Sequence, residues 1–128
     1  MLLPDHLHTV WELPRGDTDY TTRWRQIKTL VTRALAGRIG QAAISASRQR
    51  RAEKGIWQRR FYEHTCRDEA DVKRLVDYIH FNPVKHRLVA RVQDWPWSSF
   101  HRYVQLGEYS IGWGGDNQSY DREFTEME

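Results

Sequence analysis

The sequence predicts a small α+β domain, and three observations carry that prediction. Residues 1–12 alternate in polarity around His6-Leu7-His8, the period of a strand. Residues 17–35 and 68–82 carry apolar side chains at helical spacing. The aromatic-rich stretch 56–65 lies between them and reads as a second strand. With 128 residues, 39% of them hydrophobic, the chain has material for one core and not two.

Each element follows from local signals. Pro14-Arg15-Gly16-Asp17 is turn chemistry. Asp17 or Asp19 then supplies the N-cap of a helix running to about Leu35, with Trp24, Ile27, Val31 and Leu35 as its apolar stripe. Arg23, Arg25, Lys28 and Arg33 occupy the rest of its surface, and Gly37 and Gly40 should end it. Residues 37–54, rich in Ala, Ser and Arg, read as a mobile basic loop. Asp68, with Asp71 three residues later, resembles a capping box opening the second helix. Val72, Leu75, Val76 and Ile79 form its stripe, and Pro83 should stop it near Asn82. Ser98 or Ser99 starts a last short helix that Gly107 stops. Residues 1–108 are thus expected to form the domain, and 109–128, acidic and Gly-rich, a loose tail.

Charge is distributed unevenly. Residues 15–60 hold twelve Lys/Arg against three acids, while the whole chain is only +3. The densest block, residues 47–60, carries Arg48, Arg50, Arg51, Lys54, Arg59 and Arg60 around Trp57. Such a block suits a nucleic-acid backbone, because each neutralised phosphate releases condensed counterions. A solvated basic loop would look the same. Trp57, Phe61, Tyr62, Trp95 and Trp97 are candidates for base stacking, although a domain with six tryptophans places most of them in its core. No apolar run reaches the length of a bilayer span, and no secretory signal pattern opens the chain. Cys66, the single cysteine, reads as a small filler and fits a reducing cytoplasm.

On a strand, residues i and i+2 share a face, so His6 and His8 present their imidazoles together. By itself a His-x-His pair is more often two ordinary histidines than half of a metal site. A second motif changes the odds. In residues 77–86, DYIHFNPVKH, Tyr78 and Asn82 stand four apart on one helix face. Asn82 is a neutral oxygen donor that would complete a site begun by His6 and His8. Tyr78 would hold a phenol beside a metal-polarised phosphate. His80 falls on another face and reads as structural; His64 and His86 are candidates for secondary metal or phosphate contacts, although solvated or hydrogen-bonded histidines are the commoner case.

These motifs, in order PDHLH, GIWQRRFYEHTCRDEAD, DYIHFNPVKHRLV and DWPWSSFHRY, resemble the REP-associated tyrosine transposases of the single-tyrosine HUH superfamily. The resemblance spans roughly residues 1–113. It implies a ferredoxin-like domain with an antiparallel-rich sheet and helices on one face. It implies binding of single-stranded DNA with hairpins, and cleavage and rejoining through a 5′-phosphotyrosine with Mg or Mn. Residue by residue, His6 and His8 match the HUH pair, Tyr78 the nucleophile and Asn82 the polar residue that assists the metal. The family places a strand and a helix ahead of the HUH strand. Here that strand begins at the first residue, so the sequence reads as shortened at its amino end.

Three functions are distinguishable on this basis. One is a tyrosine transposase or nuclease. Another is an inactive relative that binds hairpin DNA without cleaving it. A structural zinc protein is disfavoured by the lack of paired cysteines.

Overall fold

The computed structural model describes residues 1–36, 38, 56–58 and 61–115. The chain divides into two compact units, residues 12–64 and residues 1–11 with 65–128.

In the first of these, Asp17 N–H closes the predicted turn on the carbonyl of Pro14 at 2.9 Å, with Gly16 at φ +83°. Helix α1 spans Tyr20–Ala34, and Asp19 caps it by accepting from Thr22 N–H at 3.0 Å. Its expected apolar stripe is only partly covered: Trp24, Val31 and Leu35 are half-buried and Ile27 is exposed. The packing that does form is aromatic. Phe61 lies 6.1 Å from the Tyr20 ring and 6.2 Å from that of Trp24. Trp57 Nε1 donates to Thr32 Oγ1 at 3.0 Å, and Tyr20 Oη to Glu63 Oε1 at 2.7 Å. The expected mobile loop at 37–54 lies outside the described residues, apart from Arg38.

The second unit is organised by helix α2, Glu69–Lys85. Asp68 caps it by accepting from Asp71 N–H at 2.8 Å, as expected, and the Asp71 carboxylate accepts from Arg67 N–H at 3.1 Å, one residue ahead of the amide a capping box would take. A short 3-10 helix, Val92–Asp94, and helix α3, Phe100–Gln105, complete the elements. Phe81, Val84, Val92 and Phe100 form the core.

Four expectations need correction. The helix does not stop at Asn82. It continues through a buried Pro83 to Lys85, and His86 N–H bonds the Asn82 carbonyl at 2.9 Å. Proline removes only its own N–H from the ladder, and core contact on both sides holds the last turn. The buried face of α2 is also rotated from the one expected. Val76, His80, Phe81 and Val84 are buried, whereas Val72 is exposed.

No strand ladder forms among the described residues. Residues 1–12 contain one isolated antiparallel bridge, Leu2 with Leu7. A strand needs a lateral partner over several residues. Here Leu3 N–H turns back to His6 O (2.9 Å), His8 N–H to Met1 O (3.0 Å), and Leu2 N–H goes to Trp97 O (2.9 Å). Residues 61–65 are likewise irregular.

The loose tail does not begin at residue 109. Tyr109 and Trp113 pack against the core, and Tyr109 Oη donates to Asp77. Gly114, at φ +76°, passes so close that a Cβ there would stand 2.8 Å from Val92 Cγ2.

Candidate active site

The turn at Pro4-Asp5 and helix α2 bring the candidate residues of the second unit together. His6 and His8 flank Leu7, with ring centroids 5.0 Å apart. The shared face expected of a strand thus survives without one, because a single bridge suffices to fix three extended residues. Tyr78 and Asn82 occupy successive turns of α2. The Tyr78 ring lies 5.9 Å from His8. All four predicted residues therefore belong to one cluster.

The electrostatics of the two imidazoles differ. His6 Nδ1 lies 2.7 Å from Asp5 Oδ1, so against a carboxylate it is the donor. In the neutral ring that bond assigns the proton to Nδ1 and presents Nε2 as the ligand atom, the orienting role carboxylates commonly play behind metal-bound histidines. His8 is depressed to a pKa of about 4, chiefly by burial and next by its neighbour His6. Asn82 partly offsets the fall by facing His8, without closing a hydrogen bond of ordinary geometry. His8 is therefore neutral at physiological pH, the form that ligates metals.

Buried polar atoms here lack protein partners. His8 Nε2, Asn82 Oδ1 and Asn82 Nδ2 make no hydrogen bond, and Asn82 is 0% exposed. Buried polar groups in folded proteins are otherwise paired almost without exception. An imidazole nitrogen and an amide oxygen left bare side by side are a donor set suited to a divalent cation, so the residues fit such a group. Among the described residues no three His, Cys, Asp or Glu side chains converge on a metal site. The fit therefore depends on the Asn82 amide as a ligand.

Two neighbours, Lys85 and Asp5, gave no signal in the sequence, and a third, His86, stood there only as a secondary candidate. The extra turn of α2 carries His86 to the cluster, 5.5 Å from His6. Its signal was the unbroken i, i+4, i+8 spacing of Tyr78, Asn82 and His86, hidden by reading Pro83 as a stop. Lys85 places its ammonium 5.0 Å from the centre of the Tyr78 ring. Asp5, next to His6 in sequence, gave no periodic signal at all. His80 sits apart in the core as expected, 1% exposed, with Nε2 2.9 Å from Ser99 Oγ.

Of the candidate DNA contacts, Arg48, Arg50, Arg51, Lys54, Arg59 and Arg60 lie outside the described residues. Trp57 is half-buried, its N–H committed to Thr32. Two aromatics expected mostly in the core are exposed, Tyr62 at 88% and Trp97 at 65%.

Comparison with known proteins decides the kinship. The chain is 47% identical over 115 residues to a provisionally named REP-associated tyrosine transposase of Haemophilus influenzae, and 45% identical over 116 residues to the REP-associated tyrosine transposase of Escherichia coli. The chain is a homologue of the REP-associated tyrosine transposases. These alignments take in 90% and 91% of this chain but 64% and 61% of the relatives, so the chain spans less than two thirds of their length. A solved structure, that of a REP-associated tyrosine transposase bound to a REP hairpin, superposes with a TM-score of 0.63 at 45% identity, covering 81% of this chain and 53% of that one. The fold of this chain is therefore that of the transposase over the shared part. No family model matches the sequence. Among the described residues no helix is long and apolar enough to cross a membrane.

Proposed function

We propose that the protein cleaves and rejoins single-stranded DNA at hairpin, REP-type sites through a 5′-phosphotyrosine intermediate. The observation that carries this reading is the convergence of His6, His8, Tyr78 and Asn82, with bare buried donor atoms on His8 and Asn82. The names of the relatives, and the hairpin bound in the solved one, support it.

His6, His8 and Asn82 would hold a divalent ion, Mg or Mn, whose chemistry when bound is to polarise the scissile phosphate. Tyr78 is the nucleophile. Its phenolic oxygen bonds to phosphorus, the bond from phosphorus to the 3′ oxygen breaks, and that oxygen leaves as a hydroxyl after taking up a proton. The phenol's own proton passes to solvent. Asp5 holds His6 in the tautomer that keeps Nε2 available. Asn82 contributes without charge, so it does not repel the phosphate. Rejoining reverses the step with an incoming 3′ hydroxyl. In the whole protein, the His6–His8 segment would lie in the antiparallel-rich, ferredoxin-like sheet with helices on one face. The protein would work in the cytoplasm, where its DNA is.

The test is covalent trapping. Labelled hairpin DNA is incubated with the protein and Mg²⁺ or Mn²⁺ beside Tyr78→Phe. A denaturation-resistant adduct that needs both Tyr78 and metal is expected. Hairpin binding by folded protein with no adduct would overturn the enzyme and leave a DNA-binding relative.

A further inference from the structure

We infer that helix α1 carries a second DNA contact, a strip of Arg25, Gln26 and Arg33 that grips the phosphate backbone of a hairpin stem. The identity of the ligand rests on the hairpin reading above; the strip itself rests on how α1 distributes its charge.

Helix α1 contains Arg23, Arg25, Lys28 and Arg33 and not one acidic residue. Two of these cations are committed. Arg23 is held bidentately by Asp17, at 2.6 and 3.1 Å. The Lys28 ammonium donates to the Gln58 carbonyl at 3.2 Å and sits 5.7–5.9 Å from the rings of Trp24, Trp57 and Phe61. Arg25 and Arg33 are different. Both are exposed, and neither guanidinium has an ion pair or hydrogen bond to any described residue. A solvated helix face ordinarily interleaves acids at i±4, which is worth a few tenths of a kcal/mol per pair. The neighbours of Arg25 at i±4 are Thr21 and Thr29, and Thr29 also stands four before Arg33. Arg33 suits the negative C-terminal end of the helix, but Arg25, in mid-helix, has no such structural reason to be there.

Arg25, Gln26, Thr29, Leu30 and Arg33 line one shallow groove. Thr29 Oγ1 donates inward to the Arg25 carbonyl at 2.8 Å, so its hydrogen is unavailable. Gln26 adds an uncharged donor. The two guanidinium groups stem from positions eight residues apart, about 12 Å along the axis at about 1.5 Å per residue. Phosphates of one duplex strand recur about every 3.4 Å of DNA axis and further apart along the winding strand itself, so a strip of that length spans more than one of them. An extended row of anions at that spacing is what the groove matches. Arginine is also the side chain suited to forked contact with phosphate.

Binding of a fluorescent hairpin would be followed by anisotropy across a NaCl series for wild type, Arg25→Gln, Arg33→Gln and Arg25→Lys. Arg91→Gln serves as control, because Asp94 already pairs that arginine at 3.0 Å. Each Arg→Gln change is expected to lower the salt slope by about 0.9 and weaken binding about eightfold at 0.1 M salt. Arg25→Lys should keep the slope, and Arg91→Gln should change nothing. An oligonucleotide of the same length without a stem should bind all of them alike. Wild-type binding with unchanged slopes in both Arg→Gln variants would overturn the strip and leave the hairpin reading intact. Equal losses on the stemless oligonucleotide would overturn the assignment to the stem. A wild type that binds no hairpin would sink both.

Discussion

Replacing Asn82 with leucine is expected to stabilise the metal-free protein while abolishing its response to metal. Asn82 is 0% exposed, and both polar atoms of its amide are without partners. A buried unsatisfied group costs about 1–3 kcal/mol each. Leucine has the same number of side-chain heavy atoms and the same branching, so no cavity opens. Its bulkier methyls cost about 1–1.5 kcal/mol in a tight site. The net gain is about 0.5–5 kcal/mol, or roughly 2–18 °C in Tm for a chain of this size. The wild type should gain about 2.7 kcal/mol when free metal stands at about a hundred times its Kd, and the variant nothing. Thermal unfolding with EDTA and with Mn²⁺ reads both effects. A metal-free variant that melts below wild type would mean the amide is satisfied in solution. Equal metal responses would remove Asn82 from the ligand set.

Other expectations follow from the same structure. Two histidines, the half-buried His8 and the buried His80, are each depressed to about 4 from an ordinary 6.5. The unfolded chain therefore binds more protons than the native one between about pH 6.5 and 4, and stability falls as pH drops through that window. The slope should lie between one and two protons, about 1.4–2.7 kcal/mol per pH unit once the partial exposure of His8 is discounted. Urea titrations at pH 5 and 7 check this, and a flat profile would show that neither histidine is buried neutral. Gly114→Ala meets Val92 Cγ2 at 2.8 Å in addition to its φ of +76°, whereas Gly107→Ala, at φ +80°, meets nothing within 4 Å. The first should cost about 1–3 kcal/mol more than the second by chemical denaturation, and equal costs would mean the 109–115 segment does not pack as described. Tyr78→Phe should leave hairpin affinity within about twofold while the adduct vanishes, since a single hydroxyl off the strip adds little to backbone binding.

Sequence alone settled the residue types of the candidate site and the capped starts of the two long helices. Tyr78 and Asn82 had to share a face, a local consequence of helical period, and the strand period expected of His6 and His8 paired them likewise although no strand forms. Asp68 and one of Asp17 and Asp19 had to cap, because orphan amides at a helix start take a nearby short oxygen side chain; the structure chose Asp19. The motif order was enough to indicate the kinship later seen in the relatives.

What tertiary structure decided is everything that depends on a distant partner. Whether residues 1–12 pair as a strand depends on what lies beside them, and here Trp97, far away in sequence, takes the Leu2 amide. The length of α2 past Pro83 depends on Phe81, Val84 and Phe100 closing around it, since local preference by itself ends a helix there. That extra turn brings His86 to the histidine pair. Tyr109 and Trp113 look like tail residues because glycines and acids surround them, yet they find the core through contacts no periodicity encodes. Local rules place side chains on faces; only the assembled chain decides which faces meet.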